Sequence, residues 1–105
     1  MKKGFVSPEL ANKIIERANG SCESCRKRIY RGEIHHIVNR HVEATEENLI
    51  FLCKDCHTGE NGCHGRDGAP LWLSMRLALQ DKYYQQGKTE DEVRKLMGGK
   101  IYIEK

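Results

Sequence analysis

Leu10, Ala11, Ile14, Ile15 and Ala18 recur at the spacing of one helix face. Ser7-Pro8-Glu9 opens the stretch with a capping hydroxyl, a proline suited to the first turn and an acid near the positive end of the dipole. Asn19-Gly20 closes it. The period then changes. After the turn-like Arg31-Gly32, the β-branched residues of Glu33-Ile34-His35-His36-Ile37-Val38 predict a strand. A polar loop over 39–47 leads to the short apolar run 48–52, and a short helix is expected to start near Cys56-His57. Glycines at 59, 62, 65 and 68 predict an irregular segment over 58–69.

Helical spacing returns between Pro70 and Tyr84, with Leu71, Trp72, Met75, Ala78 and Leu79 expected on one side as core. Tyr83 and Tyr84 are open to either a packing or a surface role. Thr89-Glu90-Asp91-Glu92 is a capping box that opens a further helix through Met97, stopped by Gly98-Gly99. Ile101-Tyr102-Ile103 predicts an edge strand. No repeat, low-complexity tract or linker interrupts the pattern. The chain therefore reads as a single domain over 1–105, with a core over about 20–66 and a helical part over about 67–105.

Composition changes this picture in one respect. Only 38% of the residues are hydrophobic and 31% are charged, so the core is small for 105 residues. Four paired cysteines suggest that bound metal supplies part of the folding free energy. MKKGFVSPEL has no apolar segment of the signal-peptide kind, and no run approaches membrane-spanning length. The expected compartment is a reducing cytoplasm, where such cysteine spacing implies zinc rather than disulfides. The net charge of +3 is mild, and residues 20–66 hold as many acids as bases. Bulk charge therefore does not announce nucleic acid. Arg26, Lys27, Arg28 and Arg31 do cluster beside the first cysteine pair; alone, they read as a solvated loop sooner than as a phosphate contact.

Candidate chemistry lies in the middle of the chain. Cys22-x-x-Cys25 and Cys53-x-x-Cys56 each bring two sulfurs to one ion, and together they can close a zinc tetrahedron. Four thiolates leave no open position for water or substrate, so such an ion is structural. Cys63 stands outside the set, either a buried small side chain or an alternative ligand. His35 and His36 are strand neighbours and should point to opposite faces. One can hold a metal while the other approaches a reacting atom. His57, directly after the second cysteine pair, could complete a partly open metal site with His35.

In Cys22-x-x-Cys25, Glu33-Ile34-His35-His36-Ile37, Asn48-Leu49 and Leu52-Cys53-x-x-Cys56-His57, the chain resembles the HNH endonucleases. The resemblance covers residues 22–57 closely and extends toward Gly65. Asn61-Gly62-Cys63-His64-Gly65 and the stretch 92–99 also look like small phage-encoded HNH proteins. The resemblance implies an α+β fold: a zinc-supported, treble-clef-like ββα-metal centre flanked by an N-terminal helix and two C-terminal helices. It implies hydrolysis of DNA phosphodiesters to 5′-phosphate and 3′-hydroxyl ends, by nicking or cutting duplex DNA.

Family roles then fall on particular residues. His35 would ligate a catalytic Mg²⁺, Mn²⁺, Ni²⁺ or Zn²⁺, His36 would be the general base, and Asn48 would brace the loop that positions it. His57 is favoured as the second ligand, with His64 as rival or additional ligand. Arg26, Lys27, Arg28 and Arg40 become candidates for DNA-backbone contact. The phage-like stretches imply DNA processing or packaging, beside a terminase, in a host cytoplasm. One departure is the absence of proline in Ile37-Val38-Asn39-Arg40, where many relatives have one. The rival reading is a zinc-stabilised binding module without catalysis, which would not need His35, His36, Asn48 and His57 together.

Overall fold

A computed structural model describes residues 4–38 and 42–103. Among the described residues the elements are α1 (Pro8–Ala18), β1 (Glu33–His36), β2 (Leu49–Leu52), α2 (Lys54–Thr58), α3 (Ala69–Gln85) and α4 (Glu90–Leu96). The result is a small α+β arrangement of four helices around a two-stranded sheet.

The caps behave as the sequence predicts. Ser7 Oγ accepts the Leu10 N–H at 3.1 Å, and Asn19 takes the left-handed conformation that ends α1. Thr89 and Glu92 form both halves of the capping box on α4. Cys53 caps α2, its Sγ accepting the Cys56 N–H.

β1 and β2 pair antiparallel, with His35 opposite Ile50 and His36 opposite Leu49. Cross-strand partners share a face, so this register decides which layer each histidine meets. Leu49 and Phe51 pack with Ile14 and Ala18 of α1, and Val6 and Leu10 close that layer. Ile50 and Leu52 belong to the opposite layer, with Met75, Leu79 and Tyr83 of α3 and Val93 and Met97 at α4. His36 therefore faces the α1 side and His35 the other.

Three expectations need correction. β1 stops at His36 instead of continuing to Val38, because Asn48 takes the backbone hydrogen bonds beyond it. Ile101–Ile103 does not form a strand. Tyr102 is instead bound by the side chain of Gln80, whose Nε2 donates to its carbonyl and whose Oε1 accepts its N–H, both at 2.8 Å. The amide side chain supplies the two bonds that a neighbouring strand would have supplied. On α3, Met75 and Leu79 are buried and Trp72 partly so, as expected, whereas Ala78 is exposed. Tyr83 is buried and Tyr84 exposed. Arg76 joins the buried stripe, its Nε donating to the Ile37 carbonyl at 3.1 Å and its guanidinium lying 3.9 Å from the Trp72 ring centroid.

The first cysteine loop is tied to α1 and β2 by one carboxylate. Glu23 accepts from Arg17 Nε and Nη2 at 2.8 Å each and from the Phe51 N–H at 2.9 Å. Burial alone would raise the Glu23 pKa, but the Arg17 and Phe51 hydrogen bonds outweigh it and hold the carboxyl below its ordinary 4.5. A depressed carboxyl contributes stability that is fully present above its unfolded value and is lost as pH falls through its folded value. Glu23→Gln should therefore cost about 1–3 kcal/mol at pH 7, the scale of hydrogen bonds to a charged group. In urea unfolding series the gap between variant and wild type should close as the pH drops below 4.5. A gap independent of pH would contradict this assignment.

Candidate metal centres and the histidine cleft

The sulfur atoms of Cys22, Cys25, Cys53 and Cys56 all lie within 4.8 Å of one another. The Cys25 and Cys53 sulfurs are 3.8 Å apart. Zinc–sulfur bonds of about 2.3 Å give a tetrahedron an edge of about 3.8 Å, so this spacing fits a shared ion. Burial pushes the Cys22 thiol up, but hydrogen bonds from the Cys53, Cys25 and Ser24 backbone win and bring it down to about 6. Cys56 goes the other way, pushed up to about 12 by burial and by the neighbouring thiols. Crowded thiols cannot all ionise without a cation among them. The donor set therefore fits a metal ion and one of soft character.

Cys63, buried, stays out of this cluster and donates toward the His57 carbonyl. Of the two roles open to it, the structure places it in the buried apolar cluster.

The second cluster comprises His35, His57 and His64, each with a ring nitrogen within 4.8 Å of the others. Ring centroids are 5.3 Å apart for His35–His57, 4.8 Å for His35–His64 and 4.9 Å for His57–His64. Three separate elements supply them: β1, α2 and the glycine-rich segment after it. α2 ends at Thr58, and the chain then folds back along it. Cys63 N–H donates to the Cys56 carbonyl and His64 N–H to the His57 carbonyl, both at 2.8 Å. The fold-back demands close backbone contact: a Cβ on Gly65 would lie 1.8 Å from the Gly59 carbonyl oxygen, and one on Gly68 equally close to that of Gly62. Gly62, where a Cβ would lie 2.4 Å from the Asp55 carbonyl oxygen, lets the chain press against α2 and brings His64 beside His57 although the helix has already ended.

His57 Nδ1 lies 3.0 Å from Glu33 Oε1. A carboxylate there holds the proton on Nδ1 and leaves Nε2 free to bind a metal, an orienting contact common among metal-bound histidines. Glu33 had no role in the sequence reading; its place at the start of β1, opposite Leu52 and next to Cys53, brings it within reach of α2. Burial, then the charges of His64, His57 and His36, lower the His35 pKa to about 4. His35 is therefore neutral near pH 7, as a metal-binding imidazole must be.

Ile34, His35, His36, His57 and His64 line a cleft of about 120 Å³. A larger groove of about 480 Å³, between the first cysteine loop and α3, is lined by none of these four histidines. Size therefore does not mark the chemistry here. His36 enters the cleft without joining the metal cluster, as expected of a neighbour on the opposite face.

Asn48 is fully buried. Its Oδ1 accepts from Val38 N–H at 2.7 Å and its Nδ2 donates to the Val38 carbonyl at 2.8 Å, while its own carbonyl accepts from Ile37 N–H at 2.8 Å. These bonds close the loop between the strands immediately after His36. Arg26, Lys27 and Arg28 are exposed on the first cysteine loop. Arg40 lies outside the described residues.

With this geometry in view, residues 22–62 match the family model described as HNH endonuclease. The match covers both cysteine pairs, the histidine doublet, Asn48 and His57, the segment on which the resemblance rested. No curated protein and no solved structure matches the chain.

Proposed function

We propose that the protein is a metal-dependent endonuclease that hydrolyses DNA phosphodiester bonds, nicking or cutting duplex DNA to leave 5′-phosphate and 3′-hydroxyl ends. One observation carries this reading: His35, His57 and His64 converge from three elements in a small cleft that His36 also lines. A structural metal site would be closed by its ligands, whereas three imidazoles leave coordination positions open.

In this reading His36 takes the proton from the attacking water. His35, His57 and His64 hold a divalent cation, and Glu33 orients His57. That cation, when bound, polarises the phosphate and neutralises charge on the leaving 3′-oxygen. Asn48 keeps the loop after His36 closed, so that the base stays aimed into the cleft. Arg26, Lys27 and Arg28, with Arg40 as a further candidate, contact the DNA backbone. Zinc occupies Cys22, Cys25, Cys53 and Cys56. A setting in phage DNA processing or packaging beside a terminase, in a host cytoplasm, rests on the phage-like stretches 61–65 and 92–99.

The test is nicking of supercoiled plasmid by purified protein with Mg²⁺, Mn²⁺ or Ni²⁺. Wild type should convert plasmid to open circles. His64→Ala should raise the cation concentration for half-maximal nicking at least about 10-fold, the lower end of what losing even an outer partner of a ligand costs. An unchanged metal requirement would remove His64 from the ligand set. No cleavage with any of the ions would favour the binding module without catalysis.

A further inference from the structure

The segment that leads into α1 reaches the histidine cleft. The Gly4 carbonyl oxygen lies 2.8 Å from His36 Nε2. A carbonyl oxygen can only accept, so His36 must carry a proton on Nε2, and in the neutral ring the lone pair then sits on Nδ1. The register explains how the two meet. His36 is opposite Leu49, on the face that packs against α1, and Gly4 lies just ahead of that helix. The segment is anchored, with Val6 packed into the α1 layer and Ser7 capping the helix.

No other side chain or backbone group among the described residues makes a hydrogen bond to the His36 ring. Asn48 holds the backbone beyond His36, not its imidazole. Without the Gly4 carbonyl the ring is free about its broad, two-fold terminal torsion, which exchanges the positions of its two edges. The contact thus selects one ring orientation and one nitrogen.

We infer that Gly4 is a positioning residue for the reaction, its backbone carbonyl holding His36 by Nε2–H so that Nδ1 is the atom that receives the proton from water. This rests on the nuclease reading of His36, and it extends the active centre to a segment outside the matched residues 22–62. Gly4 has φ +86, a conformation that side-chain-bearing residues rarely adopt. Among the described residues, a Cβ there would meet only Val42 O at 3.8 Å and His36 Nε2 at 3.9 Å. Gly4→Val therefore acts by changing the backbone angle and moving the carbonyl, not by a clash with the core.

The experiment compares full-length wild type and Gly4→Val in two ways, after zinc content and thermal midpoint have shown both to be folded. Imidazole ¹H–¹⁵N spectra should show an exchange-protected His36 Nε2–H in wild type and its loss in Gly4→Val. The kcat for plasmid nicking should fall about 10- to 100-fold with KM for DNA little changed, the scale expected when a catalytic group is misplaced. A protected Nε2–H that survives the substitution would show that Gly4 is not its partner. Loss of the proton with kcat unchanged or raised would show that the contact does not position the base. If wild type fails to cut DNA with any metal, the nuclease reading falls and takes the role of Gly4 with it, while the ring proton still reports whether the contact forms.

Discussion

His36→Ala should slow plasmid nicking by about 10²–10⁴-fold, the usual contribution of a positioned general base, while the protein stays folded and keeps its zinc. The structure separates this residue from the metal clusters. His36 belongs to neither, so alanine there removes no ligand. It is only half-buried at the end of β1, and among the described residues its ring makes one hydrogen bond, to the Gly4 carbonyl. His35→Ala should behave differently, since His35 is 5% exposed and shares the cluster with His57 and His64. Its loss should raise the cation requirement, whereas added metal should not restore the His36 variant. Single-turnover rates across a metal titration distinguish the two. A His36→Ala protein with full activity and intact zinc would overturn the proposed mechanism.

Removal of the thiolate-bound metal should unfold the centre. Structural zinc sites contribute apparent binding free energies of about 10–16 kcal/mol at neutral pH, against a typical total stability of about 5–15 kcal/mol. The four cysteines hold together elements with little apolar area of their own. Cys22 is completely buried, Cys53 nearly so, and the strands beside them have four residues each. Cys53 also caps α2, so Cys53→Ser keeps a capping oxygen but loses a soft ligand. Loss of far-ultraviolet circular dichroism and of cooperative melting is expected for chelated wild type and for Cys53→Ser alike. Metal binding must strip protons from thiols such as Cys56, which burial and then the neighbouring thiols raise to about 12, so metal affinity should climb with pH. A chelated protein that still melts cooperatively at the same temperature would show that the core stands without the ion.

Local chemistry was legible in the sequence. Ser7-Pro8, the Thr89–Glu92 capping box and the two Cys-x-x-Cys pairs each act within a few residues, and each appears where the sequence predicts it. The alternation of strand side chains correctly separated His35 from His36. Long-range partnerships were less legible. His64 joins His35 and His57 because the backbone folds back against α2, a path set by the close approach of Gly59 and Gly62 to Asp55 and by no side-chain periodicity. Tyr102 has strand-like neighbours, yet Gln80 occupies both of its backbone groups from 22 residues away. Arg76 had no expectation attached to it, yet the Ile37 carbonyl and the Trp72 ring receive its guanidinium. Gly4 lies in no motif, and Glu33 stands in one without an assigned role; only the fold brings them to histidines 32 and 24 residues on.

α2 has only five residues, yet it carries Cys56 and His57 side by side, one in each cluster. Ions held at the two clusters would be linked through a single peptide bond. A shift of this short helix would move both side chains together, and any coupling between ions held at the two clusters would act equally in both directions. Under such coupling, a shortage of metal at the cysteines would also weaken cation binding at the histidines, before any residue in the cleft is altered.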